Sequence, residues 1–230
     1  MKPTYPTMMA FFLAAVAVTL IGAWPAGAAS DIEKPEELVA ASLVSFNNMS
    51  ADPNMTWFRN NIGSAKAILI YPRVIRAGFI FGGSGGSGAL LQKDDKSGVW
   101  SYPAFFTMGS GSFGLQAGVD FAEVVMLVMT QKGMDSMLST SFKLGADASV
   151  AAGPVGAGVK AQLADILVFS RSKGVFGGVA VEGAVIKPRD QWNSAYYGKP
   201  VRTVDITIRR SVGNPGADDL RLAVAKQAGK

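Results

Sequence analysis

The side chains able to do chemistry in this chain are carboxylates, lysines, arginines, serines and tyrosines, because the sequence contains neither His nor Cys. Seven basic residues, Lys66, Arg73, Arg76, Arg171, Lys173, Lys187 and Arg189, fall near the ends and turns of apolar runs. If a sheet gathers those turns at one rim, the rim is an anion-binding patch in which Arg and Lys contact phosphate oxygens, Arg bidentately. The run Gly83-Ser84-Gly85-Gly86-Ser87-Gly88 reads as a loop whose backbone amides, at Gly83, Gly85 and Gly86, add neutral donors to the same phosphate.

Other patterns carry less. Gly83 to Gly88 matches GxGxxG, and so does Gly109-Ser110-Gly111-Ser112-Phe113-Gly114. A dinucleotide site needs a strand before the motif and a helix after it, whose N-terminus holds the pyrophosphate. Each match here is followed instead by a β-like apolar run. Ser170-Arg171-Ser172-Lys173 fits SxxK, but acyl transfer needs the Lys desolvated beside the Ser at a helix start, with partner motifs that do not follow. An exposed hairpin turn is the expectation. Asp120, Glu123, Asp147, Asp165 and Glu182 lie in or beside strands, where paired structural carboxylates are the default. A glycosidase-type pair needs a geometry that sequence does not supply.

Composition bounds the rest. The absence of Cys removes disulfides, thiolate metal sites and cysteine nucleophiles, and the absence of His removes the usual neutral-pH base and the commonest metal ligand. No catalytic residue, metal or cofactor is expected. The chain has 230 residues, 49% hydrophobic and 17% charged, with net charge +5, which suits one well-buried domain and a mild attraction to anionic surfaces. Nucleic acid fits poorly, since the charge is modest and the aromatic residues sit in apolar runs.

The elements that must position these groups begin after a leader. Lys2, an apolar stretch from Met8 to Ile21 and Ala26-Gly27-Ala28 together predict a signal peptide over residues 1–28. The protein is therefore expected to be exported, periplasmic or extracellular, and peripherally membrane-associated. A helix is predicted over Ser30 to Asn48, with Pro35 in its first turn and a moderate apolar stripe, and a short helix after Asp52-Pro53. Strands are predicted over Ala67–Tyr71, Ala77–Phe81, Gly88–Gln92, Trp100–Met108, Phe113–Val119, Phe121–Met129, Phe142–Val150, Leu163–Phe169, Val175–Ile186 and finally Val204–Arg209. Lys93 to Gly98 forms a hairpin turn. Further helices are predicted over Lys132–Ser139, Pro188–Tyr197 and Ala217–Gln227. The fold class is α+β: a strongly curved, mainly antiparallel, glycine-rich sheet, barrel-like if it closes, flanked by a few short helices. Residues 29–210 form one domain and 211–230 a C-terminal tail or helix.

The ordered succession of several stretches resembles the SYLF family. They are Ala77-Gly78-Phe79 with the following GGSGGSG, Gly98-Val99-Trp100-Ser101 with Pro103-Ala104-Phe105, and Ser112-Phe113-Gly114-Leu115-Gln116-Ala117-Gly118. Glu123 to Val128, Phe142 to Gly158, Ser170-Arg171-Ser172-Lys173-Gly174 and Glu182-Gly183 follow in order. The likeness runs from about Leu38 to Pro200, and the form with a leader and no further module is similar to the bacterial branch. The resemblance implies phospholipid binding without catalysis, with phosphoinositides and phosphatidic acid as ligands of eukaryotic members, and actin bundling in some fungal ones. For an exported protein it implies another anionic phospholipid and no actin. The helix beginning near Pro35 lacks Lys or Arg as far as Arg59, so the contact is expected at the basic rim. The competing expectations are a cell-envelope structural or protein-interaction module and, third, a carboxylate or Ser-Lys hydrolase.

Overall fold

Pro35 at the first helical position, with Glu36 and Glu37 beside it, starts a 17-residue helix, α1 (Pro35–Ala51). Acidic groups in a first turn complement the positive end of the helix dipole. The helix stops at Asp52, whose carboxylate accepts from the Asn54 amide and opens a single 3-10 turn leading into α2 (Thr56–Ile62). These details come from a computed structural model, which describes residues 34–78, 81–113, 118–153, 163–172 and 183–229. The expected leader, Lys173, Glu182 and most of the strand expected over Val175–Ile186 lie outside those residues.

The centre of the fold is an eight-stranded sheet in the order β5-β8-β3-β2-β1-β4-β7-β6. The strands are β1 (Ala67–Gly78), β2 (Phe81–Gln92), β3 (Ala104–Phe113), β4 (Gly118–Val128), β5 (Phe142–Lys143), β6 (Val150–Ala152), β7 (Ile166–Ser172) and β8 (Val185–Pro188). Every pairing is antiparallel except β6 with β7. β1, β2 and β3 form two long hairpins that share β2, with β4 on the other side of β1, and β2 turns into β3 through Lys93–Trp100, where the Asp94 carboxylate accepts from the Lys96 and Ser97 amides.

Chain connectivity forces the sheet to curl. Its two edge strands, β5 and β6, are separated only by residues 144–149, a link reaching about 24 Å at full stretch. In a flat sheet seven interstrand spacings would hold the edges about 34 Å apart. The link is a tight turn with Leu144 bridged to Ala148, Gly145 at φ 84 and the Lys143 amide donating to the Asp147 carboxylate. The curl gives the sheet an inner and an outer face, each apolar. The inner core joins Leu69, Tyr71, Val74, Phe106, Val124, Met126, Val168 and Ile186, with Met134 and Met137 of α3 (Gln131–Met137) and Ile206 of α5 (Thr203–Thr207). The outer core packs Ile68, Ile70, Leu91, Phe105, Leu127 and Phe169 under Leu38, Phe46 and Met49 of α1, with α2, α4 (Asp190–Tyr197) and α6 (Asp218–Ala228) alongside.

Several expected strands are redrawn. Ala77–Phe81 is not one strand: β1 continues to Gly78 and β2 opens at Phe81. Phe142–Val150 is broken by the turn at Gly145, although Phe142, Leu144 and Ala148 are buried as the alternation requires. Val204–Arg209 is helical over Thr203–Thr207, because the Asp205 carboxylate caps the Arg202 amide at 3.0 Å and Thr203, Ile206 and Thr207 bury one helical face. The C-terminal helix places Leu220 and Val224 in the outer core.

Candidate functional site

Glycine-rich β2 lies between β1 and β3 and pairs with both along its length. Gly83, Gly85 and Gly86 are therefore strand residues and not a loop. Gly83 faces Ala77 and Gly111, Gly85 faces Ile75 and Gly109, and Gly86 faces Val74 and Met108. In an interior antiparallel strand the amides serve the two neighbouring ladders alternately, so the expected loop of free phosphate donors does not form. At Gly86 a Cβ would sit 2.5 Å from the Arg73 carbonyl, which is why this position carries no side chain. Neither GxGxxG match opens a helix, and Ser170 stands in β7 instead of at a helix start.

A bulge decides which basic residues share a face. Between Ile70 and Arg73, β1 advances three residues while β2 advances two, and the register to β4 shifts at the same place. Pro72, which has no N–H to give a ladder, occupies the extra position. A one-residue slip exchanges the two faces of a strand. It turns Arg73 outward and Arg76 inward. Arg76 falls in an inner row, Ser110–Ser84–Arg76–Asp120, where it is hydrogen-bonded to Asp120 and the two serine hydroxyls lie 2.7 Å apart.

The outer face carries the larger constellation. Lys187 on β8 pairs with Thr107 on β3, Thr107 with Ser87 on β2, and Ser87 with Arg73 on β1. Beyond the bulge, Glu123 on β4 pairs with Arg171 on β7. This cross-strand row also receives Arg189, whose guanidinium donates to the Ser87 hydroxyl at 2.7 Å and stacks 3.4 Å over the Trp192 ring. Burial lowers the Arg189 guanidinium from its ordinary value, though arginine stays charged in proteins. Arg73 lies 4.5 Å over the Phe121 ring. Arg171 is held by Glu123 at 3.2 Å and by Asp52, at the end of α1, at 3.6 Å, and Asn48 of α1 reaches Glu123 at 3.4 Å.

Arg73, Arg171, Lys187 and Arg189 are thus brought together, while the other expected site residues are not. Lys66 precedes β1 and pairs with Asp95 at 3.1 Å. Ten residues of strand separate it from Arg76, about 30 Å. Arg76 faces the interior of the curl, and Lys173 lies outside the described residues. Ser87, Thr107, Glu123, Phe121 and Trp192 join the site without having been assigned to it. Only the alternation of Thr107 between apolar Phe106 and Met108 signalled any of these placements.

The row marks the upper limit of the helical cover. Below it, the outer-face residues Ile70, Ala89, Phe105 and Val125 are fully buried. Above it, the next outer row reads Val185–Gly109–Gly85–Ile75–Phe121. Here Val185 is exposed, and on the row beyond it Val119 is 63% exposed. A basic band therefore borders, among the described residues, a partly exposed apolar strip flattened by glycines. Among the described residues no group of acidic side chains gathers to hold a metal, and no helix is long and apolar enough to cross a membrane.

Comparison with known proteins gives the same architecture a lineage. The family model described as Ysc84, Las17-binding protein actin regulator, matches residues 109–227. LAS seventeen-binding protein 3 of Saccharomyces cerevisiae is 32% identical over 163 residues, covering 67% of this chain and 35% of that protein. Protein YSC84 of the same yeast is 32% identical over the same shares. The human SH3 domain-containing YSC84-like protein 1 is 27% identical over 165 residues, 69% of this chain and 48% of that protein. The chain thus spans between a third and a half of the length of these relatives. No solved structure matches.

Proposed function

This chain belongs to the Ysc84, or SYLF, family, and from that starting point we propose that it is a non-enzymatic protein that docks on anionic phospholipid surfaces through the outer face of its sheet. One observation carries the reading: Arg73, Lys187 and Arg189 of the outer row lie directly beside a strip in which Val185 is exposed and Ile75 and Phe121 are half-buried. Cations in a band next to exposed apolar groups suit a lipid surface, where phosphates lie above acyl chains. Arg189, presented by the stack on Trp192, offers a planar fork of the kind that phosphate accepts bidentately. Burial of the apolar residues of α1 in the outer core speaks against that helix as the inserting element. The exported location expected from residues 1–28 is part of the same proposal, and fractionation of cells making the full chain tests it.

The docking test is co-sedimentation of the full chain with vesicles of phosphatidylcholine alone, or with added phosphatidylglycerol, phosphatidic acid or cardiolipin, at low and high salt. Binding confined to the anionic vesicles and weakened by salt is the expected result. Equal binding to neutral vesicles, or binding indifferent to salt, sinks it. A second reading, a protein-interaction surface, draws on the relatives' description as Las17-binding proteins. It gains if no vesicle is bound and a protein is captured by the same face.

A further inference from the structure

Within the outer row the basic residues are not equivalent. Arg171 is paired with two carboxylates, Glu123 at 3.2 Å and Asp52 at 3.6 Å. Among the described residues no ion pair reaches Lys187 or Arg189. Arg189 is nonetheless fixed, by its 2.7 Å bond to Ser87 and by the indole beneath it. That uses one of five N–H donors. Lys187 is two residues away on the same chain and exposed, with Thr107, whose hydroxyl donates to the Gly86 carbonyl at 3.3 Å, opposite it in register. Because Thr107 pairs with Ser87, Lys187, Thr107, Ser87 and the Arg189 guanidinium fall within two strand spacings, about 10 Å.

We infer that the phosphate-contacting subsite of this face is formed by Lys187 and Arg189 with the Thr107 hydroxyl, and that Arg171 is a positioning residue that fastens α1 to the sheet. An arginine already ordered by stacking and a neutral hydrogen bond loses less freedom on meeting an oxyanion than a free one does. Arg171 would first have to leave two carboxylates. The membrane origin of the phosphate rests on the docking reading given above; the chemistry of the subsite does not, since a soluble phosphate ester presents the same oxygens.

The test uses the isotopically labelled full chain. Titration with inorganic phosphate and with glycerol 3-phosphate, followed through amide resonances, is expected to shift Ser87, Thr107, Lys187 and Arg189 in a saturable way. Vesicles of phosphatidylcholine with phosphatidylglycerol are then compared for K187Q, R189K and the pair E123Q/R171Q. Removing the Lys187 charge weakens vesicle binding about fivefold. R189K keeps the charge but loses the fork and the stack, and is expected to weaken binding at least as much. E123Q/R171Q removes one charge of each sign and leaves affinity within about twofold. If E123Q/R171Q weakens binding while R189K does not, or if phosphate leaves those four amides unmoved, the assignment is overturned. Shifts at the four amides without any vesicle binding keep the subsite, for a soluble phosphate ester, and overturn the docking reading alone. Should R189K fail to fold, K187Q and the amide map decide.

Discussion

Glu123 on β4 and Arg171 on β7 face each other in the antiparallel register, with Arg171 Nη1 3.2 Å from Glu123 Oε2. The same guanidinium reaches Asp52 beyond the end of α1, so one side chain joins two strands to the helical layer. The Arg171 and Glu123 side chains are 40% and 23% exposed, and solvent screens such pairs. A double-mutant cycle of Arg171→Gln and Glu123→Gln in urea is expected to give a coupling of about 0.5–1 kcal/mol, shrinking with added salt. A coupling indistinguishable from zero at low salt would show that the pair does not fasten β4 to β7. Glu123→Gln alone removes a negative charge from the face and is expected to strengthen binding to anionic vesicles.

Not all the glycines of the long hairpins are there for the same reason. At Gly88 an added Cβ would lie 2.7 Å from the Tyr71 ring and 3.0 Å from the Ile70 carbonyl, whereas at Gly109 it would meet nothing within 4 Å. Tyr71 is fully buried and has no room to yield. Gly88→Ala is expected to cost about 1–3 kcal/mol through overpacking, seen as a fall in melting temperature of several degrees. Gly109→Ala is expected to change it by no more than a degree or two. Equal effects at the two positions would remove the argument that Tyr71 fixes Gly88.

The two glycines also show where the sequence runs out. Side-chain alternation is the sequence signal of a strand, and a run of Gly and Ser has almost none, so β2 could be read only over Gly88–Gln92. Its first half, Phe81 to Ser87, is strand because β1 and β3 pair with it, a tertiary cause that overrides poor β propensity. Elements with local causes were legible: α1 from Pro35 and its acidic first turn, the Asp94 turn from its glycine and polar residues, and β4 from its unbroken apolar run. The Val204–Arg209 alternation failed because a run so short also fits one helical turn that buries Thr203, Ile206 and Thr207. The basic residues of the site were each visible, but their grouping was not. The bulge at Pro72 sends Arg73 outward and Arg76 inward, and no local pattern announces it.

Tyr71 has a buried hydroxyl with no hydrogen-bond partner among the described residues, and burial raises its pKa far above the ordinary phenol value. Burial also raises Tyr197, and Tyr196 is pushed up to about 12. A group whose pKa is higher in the folded state stabilises fully below its unfolded value and loses that contribution as pH climbs towards the folded one. Stability is therefore expected to be level below about pH 10 and to fall above it. Phenolate absorbance of Tyr71 and Tyr197 should appear only as the protein unfolds. Tyr71→Phe removes an unsatisfied polar atom and is expected to be neutral or to stabilise by up to about 1 kcal/mol. A marked loss of stability would mean that the hydroxyl has a partner.

Asp165 is the acid-side counterpart. Its carboxylate, with only 10% of the side chain exposed, accepts from the Thr130 hydroxyl at 2.5 Å and from the Ser149 amide and hydroxyl at 2.9 and 2.8 Å, with Lys132 at 3.6 Å. Thr130 caps α3, Ser149 leads into β6 and Asp165 into β7, so one carboxylate ties three element starts. Burial alone would raise its pKa, but the bonds from Thr130 and Ser149 and the nearby Lys132 hold it below the usual carboxylate value. Asp165→Asn turns one acceptor oxygen into a donor facing other donors, at an expected cost of about 2–3 kcal/mol. Because the folded pKa is the lower one, this stabilisation is complete above about pH 4 and is lost as pH falls through the folded value. Urea unfolding of wild type and Asp165→Asn should differ most near neutrality and converge in acid. A gap that stays constant down to about pH 2, below the ordinary carboxylate range, would mean that the charge of Asp165 contributes nothing and that only its shape does.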